Sequence, residues 1–343
     1  MPVHVTAFAP GRANLIGEHT DYNDGLALPF AISDGVTVRA QALAGDRIEA
    51  VAADLGARDS FALGRPRSAS GWRAFVRGAV AELGRAGFRL RGARLEISGR
   101  VPRGAGLSSS AALEVALCLA LLGCSDAAEP DRIELAKLCA RIENEWVGAR
   151  TGLLDQLASL YGERDRALRI DFRTLEVIPV ALELAGHRLV TLDSGERHTN
   201  AASGYNQRRA ECARACALVG VESLRDATLE LTDRLPPPLA KRARHVITEN
   251  DRVQRTVAAL ERGDLPAVGR LLDASHESLR DCYEVSTAAV EAAVARLRDA
   301  GAIGARIVGG GFGGHVLGLF PAGATPPDGA LEIRPGPGAR LLA

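Results

Sequence analysis

The sequence predicts an α+β fold in two intimately packed domains, and three observations carry that reading. Segments of strand-like alternation and segments of helical spacing are both present. The 343 residues suffice for one large or two medium domains, taking roughly 150 residues per domain. No internal repeat and no long linker divides them, and a hydrophobic fraction of 47% supplies enough apolar surface for a core.

Residues 3–7 read as a short strand and 26–32 as a second apolar segment, with Asn23-Asp24-Gly25 between them as a turn signal. The polar run 17–24 precedes that turn. Arg94-Leu95-Glu96-Ile97-Ser98 alternates with period two, as a half-buried strand does, and runs into Pro102-Arg103-Gly104-Ala105-Gly106. Ser108 to Ser110 then offer hydroxyl caps for a helix over 111–122 that is apolar except for Glu114, hence buried on nearly all sides. Pro130 suits a first helical turn, and Ile133, Ala136, Cys139, Ile142 and Trp146 recur at helical spacing, with Glu143 on the same helix. Thr151-Gly152 breaks the pattern before a short helix over 153–161 whose first turn holds Asp155. Residues 188–193 read as a strand, and helices follow from about Ser203, Pro238 and Thr287, with Pro236-Pro237-Pro238 as a loop. Residues 305–308 form a strand leading into Gly309-Gly310-Gly311-Phe312-Gly313-Gly314, and the tail from Pro321 is rich in Pro and Gly.

Charge removes several function classes. Lys+Arg and Asp+Glu are both 42, so the formal net charge is zero and the basic excess that draws nucleic acid or an anionic membrane surface is missing. The longest apolar stretch, 115–123, is far short of a membrane span, and residues 1–10 lack the pattern of a signal peptide. Six cysteines without a C-x-x-C pair read as reduced thiols, so the expected location is cytoplasmic. Only Lys137 and Lys241 are lysines, and each follows an alanine. Neither can serve as the lysine of a Walker loop or of a V-A-I-K strand, so any ATP must be held another way.

Three segments could carry chemistry. Glycines at 104 and 106, between a strand and a helix N-terminus, let backbone N–H groups approach an anion, helped by a partial charge of about half a unit. The plain alternative is a tight strand-to-helix connection; the serines that follow can also reach a Mg²⁺ on a bound phosphate. Residues 10–22 pack Arg12, Glu18, His19 and Asp21 closely, a density of donors and acceptors suited to a hydroxyl-rich ligand, although such clusters are more often solvated turns. A calcium loop starting at Asp21 fails, because Gly25 and Ile32 stand where it needs acidic or amide ligands. The glycine run 309–314 lacks the acidic residue and βα unit of a dinucleotide fingerprint and alone reads as a tightly turned loop.

Together the three segments resemble the GHMP small-molecule kinases, and among them the galactokinase family. The stretch Arg12-Ala13-Asn14-Leu15-Ile16-Gly17-Glu18-His19-Thr20-Asp21-Tyr22-Asn23-Asp24-Gly25 is similar to the galactokinase signature almost throughout; 102–112 resembles the superfamily phosphate loop and 305–314 its C-terminal glycine motif. Residues 72–78, Gly152-Leu153-Leu154-Asp155-Gln156, Tyr205-Asn206-Gln207-Arg208-Arg209 and 275–286 are further galactokinase-like segments. His315 and Cys282 depart from the family pattern, and Leu153-Leu154 replaces Ile-Met at similar volume.

The resemblance implies the two-domain GHMP kinase fold, divided as 1–185 and 186–343, with the active site in the cleft between the domains. It implies ATP as phosphoryl donor and the anomeric hydroxyl of D-galactose as acceptor. Asp155 would be the catalytic carboxylate, with Arg12 beside it to stabilise developing charge. Glu18, His19, Asp21, Gly152 and Tyr205 would hold the sugar. Gly104, Ala105, Gly106, Leu107, Ser108, Ser109 and Ser110 would cradle the phosphates, Trp72 would lie near adenine, and Ser110 with Glu143 would bind Mg²⁺. By themselves, Asp155 reads equally as a helix N-terminal charge, Glu143 as a solvated residue and Trp72 as a core aromatic. A kinase for N-acetylgalactosamine and a non-catalytic galactose and ATP sensor are the alternatives, though sensors of this type lose phosphate-loop residues and Ser108-Ser109-Ser110-Ala111-Ala112 stands intact. The expected partners are D-galactose and ATP, with no nucleic acid and no membrane, acting on a monomer.

Overall fold

A computed structural model describes residues 3–101, 107–148, 152–196 and 201–342. The chain starts with β1 (His4–Asn14), β2 (Leu26–Ala27) and β3 (Pro29–Ala42), followed by the hairpin β4 (Arg47–Ala52) and β5 (Ala57–Ala62). Helix α1 (Trp72–Arg85), β6 (Ala93–Gly99) and helix α2 (Ser109–Cys124) come next. Helix α3 (Arg132–Arg141) runs directly into a π-helical turn, Ile142–Val147, and α4 (Leu154–Tyr161) leads to β7 (Arg166–Asp171) and β8 (Glu176–Ala181).

The second half holds β9 (Arg188–Asp193), α5 (Ala201–Val219), α6 (Leu229–Thr232), α7 (Leu239–Glu261) and α8 (Leu265–Ser278), which continues into a π-helical turn at Leu279–Tyr283. Then come α9 (Ala288–Asp299), β10 (Gly304–Ile307), β11 (His315–Phe320), β12 (Leu331–Ile333) and β13 (Arg340–Leu342).

Three sheets result. The largest has the order β13-β1-β3-β6-β4-β5, antiparallel except where β4 and β6 run parallel; β2-β7-β8 and β10-β11-β9-β12 are wholly antiparallel. Helix α2 lies across β1 and β3 and is buried on nearly all sides, as its composition predicts. One core joins the large sheet to α1–α4, and another lies among β9–β11, α5, α7 and α9. A third joins them: Ala13, Leu15 and Ile16 of the first strand and its loop pack with Val253 of α7, Leu272 of α8 and Leu317 of β11.

The first strand is longer than its apolar stretch suggests. It continues through Pro10, Gly11 and Arg12 because β3 pairs with it as far as Asn14, with a shift of register between Pro10 and Arg12. Such a bulge re-aims the side chain beyond it. Helices α1 and α8 carry glycines that obscure their period. A Cβ at Gly78 would lie 2.7 Å from Ile142, and one at Gly269 would lie 2.2 Å from the carbonyl of Ile303, so each glycine lets a neighbouring element close in. The Pro- and Gly-rich tail still supplies β12 and β13, and β13 returns to pair with β1 at the edge of the large sheet.

Candidate active site

The site forms where the end of β1, the start of α2, the start of α4 and the glycine turn after β10 meet. Gly11 permits the approach of the β1 end to the start of α2. A Cβ there would lie 2.5 Å from the carbonyl of Leu107, while the next residue, Arg12, donates its N–H to that carbonyl at 3.1 Å. The phosphate-loop residues Leu107 to Ser110 are thereby tied to the strand that presents Arg12; Gly104, Ala105 and Gly106 lie outside the described residues.

Arg12 grips Asp155 with two donors on one oxygen, Nε at 2.8 Å and Nη2 at 2.6 Å to Oδ1. Ser108 occupies the N-cap position of α2, yet its hydroxyl makes no cap and donates instead to Asp155 Oδ2. Its φ of 52° is left-handed, which costs energy for a residue with a Cβ and marks a position held by its surroundings. A carboxylate has roughly four acceptor positions. Among the described residues two donors meet Oδ1 and one meets Oδ2, and Asp155 keeps 20% of its side chain exposed.

Glu18 sits deeper, only 4% exposed. Asn14 Nδ2 donates to its Oε2 at 2.6 Å, the Gly309 N–H to its Oε1 at 2.8 Å, and Arg306 Nη2 lies 3.5 Å from the same Oε1. Burial raises its pKa while Arg306 and Arg12 pull it down. Arg306 itself is fully buried and donates to the carbonyls of Asn14 and Leu15, so the two halves of the chain are stitched at this carboxylate.

His19 is likewise buried, and desolvation with the neighbouring His245 lowers its pKa to about 3, leaving the ring neutral. A carbonyl only accepts, so Nε2 carries the hydrogen toward Gly310 O at 3.2 Å, and Nδ1 accepts from the Tyr22 hydroxyl at 2.8 Å. Tyr22 in turn accepts from Tyr283 at 2.9 Å, and Cys212 Sγ lies 3.0 Å from the Tyr283 hydroxyl.

Asp21 and Tyr205 complete the pocket wall, the tyrosine hydroxyl donating to Asp21 Oδ2 at 3.4 Å. Gly152 faces that carboxylate so closely that a Cβ would fall 1.9 Å from Oδ2. Desolvation, with Asp155 and Glu18 nearby, raises the Asp21 pKa to about 6.

Glu143 is not the solvated helix residue that its position suggests. The π-helical turn carries it inward, where Gln156 Nε2 donates to both Glu143 Oε2 and Glu114 Oε2 at 3.1 Å. Glu114, fully buried, is raised well above the usual carboxylate range by desolvation and by the charge of Glu143, and its Oε1 has no hydrogen-bond partner among the described residues. Ser109 and Ser110 open α2 one turn away from Glu114. Trp72 starts α1, packs partly buried against the core and carries the Arg73 guanidinium 5.0 Å from its ring centre.

Several members of this site escape sequence reasoning. Asn14, Glu114 and Gln156 each stand beside or within a recognised motif, a signal that could have found them. Arg306 and Tyr283 lie inside the recognised segments 305–314 and 275–286 without being singled out, and His245 and Glu249 lie on a helix in an ordinary amphipathic context with no local signal.

The fold is that of the GHMP kinases. Models of the GHMP kinases N terminal domain and the GHMP kinases C terminal match residues 74–163 and 256–333, and the galactokinase galactose-binding signature matches 2–42. The chain is 41% identical to a galactokinase of Thermotoga petrophila over 317 residues, covering 92% of this chain and 89% of that one. It is 44% identical to a galactokinase of Mycobacterium tuberculosis over 322 residues, with 92% and 88% covered. The crystal structure of Lactococcus lactis galactokinase complexed with galactose superposes with a TM-score of 0.91 at 31% identity, covering 98% of this chain and 95% of that one. A mevalonate kinase of Methanococcus jannaschii, at 18% identity and a TM-score of 0.69 over 98% of each chain, shares the fold alone. The chain belongs to the galactokinase family.

Proposed function

We propose that the chain transfers the γ-phosphoryl group of ATP to the anomeric hydroxyl of D-galactose, yielding galactose 1-phosphate and ADP. The observation that carries this reading is Asp155, held by Arg12 and Ser108 where the signature strand, the phosphate-loop helix and α4 meet, with a fifth of its side chain exposed.

Asp155 accepts the hydrogen of the C1 hydroxyl and aims that oxygen at the phosphorus. Phosphoryl transfer passes through a loose transition state, so positioning accounts for most of what this carboxylate contributes, and the proton is moved late. Arg12 holds Asp155 by Nε and Nη2 and stabilises negative charge gathering between the nucleophile and the transferred group. Glu18, His19, Asp21 and Tyr205 offer acceptors and donors to the remaining hydroxyls, and Gly152 leaves the space in which Asp21 and the sugar meet. A sugar lacking one of these hydroxyls leaves a buried polar group unpaired, which is how such a pocket discriminates.

The backbone of residues 104–110 cradles the phosphates at the start of α2, and Trp72 flanks the base. The donor set of Ser110 and Glu143 fits a hard divalent cation: both supply oxygen, and Glu114 Oε1 beside them is a buried oxygen with no hydrogen-bond partner among the described residues. Mg²⁺ bound by Ser110 and Glu143 would neutralise charge on the phosphates. Domains 1–185 and 186–343 frame the cleft, and the protein works as a monomer in the cytoplasm, a reducing compartment that suits its six free thiols.

The test is ADP release with Mg-ATP across galactose, glucose, N-acetylgalactosamine, arabinose and mevalonate, with Asp155→Asn alongside. Selective turnover of galactose that collapses in the variant is the expected result. Saturable binding of galactose and ATP without turnover would overturn the catalytic reading, and preference for another acceptor would overturn the substrate.

A further inference from the structure

A second concavity, of about 550 Å³, opens between α7 and α8, and none of its lining residues belongs to the signature, the phosphate loop or the glycine turn. Arg252, Arg255, Arg262 and Arg270 line it, against Asp251 as the one acidic residue in its wall. The chain as a whole is formally neutral, so this concentration of positive charge is local.

Arginines on exposed helix faces ordinarily have an acidic neighbour one turn away. Here only Arg255 has one in the wall, Asp251 at 3.4 Å. Among the described residues Arg262 and Arg270, both exposed, have neither an ion pair nor a side-chain hydrogen bond. Arg252 is the fixed member: only 11% exposed, it is anchored through Nε to Glu249 at 2.6 Å, and its Nη2 has no hydrogen-bond partner among the described residues. Ala258, Ala259, Ala267 and Ala274 keep the walls low, which leaves the volume free.

Arg252 and Arg255 have acidic partners, which leaves Arg262 and Arg270 as uncompensated charges at one hollow, and an anion relieves their repulsion. Guanidinium is the group suited to it, since its planar fork matches phosphate oxygens two at a time. The volume lies within the range of small-molecule sites, about 300–1,000 Å³. We propose that this cleft binds a small molecule through a phosphate monoester or diphosphate group. The inference does not depend on the reaction proposed above.

The experiment is calorimetric titration of the full chain with sodium pyrophosphate, in low salt without magnesium, for wild type and for the double variant Arg262→Gln/Arg270→Gln. Circular dichroism and turnover at saturating substrates check that the variant is folded. Wild type should show a saturable event that the variant lacks, or binds weaker by about tenfold or more for the charge-assisted contacts removed, with affinity falling as salt rises. Galactose 1-phosphate titrated in the same way separates a monoester ligand from a diphosphate, and loss of either event in the variant supports the site. Equal affinity in both proteins would assign the binding to the phosphate loop and overturn the proposal, as would the absence of any saturable heat.

Discussion

Helix α2 and the loop that leads from β1 to β2 are both buried, and by opposite means. From Ala111 to Leu122 the helix hides side chains that are apolar except for Glu114 and satisfies its backbone within itself. The signature stretch buries Arg12, Asn14, Glu18, His19, Thr20 and Asn23, and its partners come from far along the chain. The N–H of Gly17 donates to Glu249 and the N–H of Leu26 to Asn250, while the carbonyl of Glu18 accepts from His245 and the carbonyl of Asn23 from the Ser223 hydroxyl. Buried polar groups cost free energy unless paired. The helix is therefore stable by composition, whereas the signature loop exists only because α7, α8 and β10 stand behind it.

That contrast can be broken most severely at its functional edge. Asp155→Asn should lower kcat by about 10²–10⁴-fold while leaving the melting temperature near wild type, measured by the ADP-release assay and thermal unfolding. If turnover survives, the carboxylate is a helix-terminal charge and nothing more.

A matched pair then tests burial by pairing against burial by packing. Arg306→Ala removes the partner of a buried carboxylate and two backbone carbonyls, and should cost about 3–5 kcal/mol. Leu117→Ala in α2 should cost about 2–5 kcal/mol through the cavity it leaves. Denaturant unfolding measures both, and only the arginine variant should also raise the sugar KM in molecules that remain folded.

Gly152→Ala sharpens the comparison at smaller scale. The added methyl collides with Asp21 Oδ2, so the sugar KM should rise by about tenfold, the kinetic equivalent of about 1.4 kcal/mol, with the ATP KM unchanged. An unchanged sugar KM would show that Asp21 and Gly152 do not shape the pocket together.

The smallest effect is in pH. Burial and the neighbouring Asp155 push the Asp21 pKa up to about 6 in the folded state, against an ordinary 3.8 in the unfolded chain. Its stabilising contribution is thus complete below pH 3.8 and lost as pH rises through 6. Asp21→Asn escapes that loss and should be more stable than wild type at pH 8 by about 1–3 kcal/mol. The advantage should vanish near pH 4, while the sugar KM rises. Differential scanning calorimetry across pH reads the crossing.

The same contrast explains what could be read from the residues alone. Helix α2, the short helix bearing Asp155 and the strand into the glycine run are local patterns, and each is found where periodicity and turn chemistry put it. The extension of β1 through Pro10 to Asn14 and the short strands β12 and β13 were not legible, because pairing with a distant strand and not local apolar alternation makes them strands. The inward turn of Glu143 was hidden for a related reason: a π-helical insertion changes the face on which a residue emerges, and Gln156 gives it a partner.

Sequence by itself determined the family, the motifs and which residues carry ionisable groups, because each of those is a matter of residue type at short spacing. Tertiary structure alone decided that Ser108 serves Asp155 instead of capping its helix, that His19 is neutral with its hydrogen on Nε2, and that Glu18 is clamped between Asn14, Arg306 and Gly309. The physical reason is that a side chain's protonation and orientation are set by burial and by hydrogen-bond partners, and here many of those partners lie more than two hundred residues away.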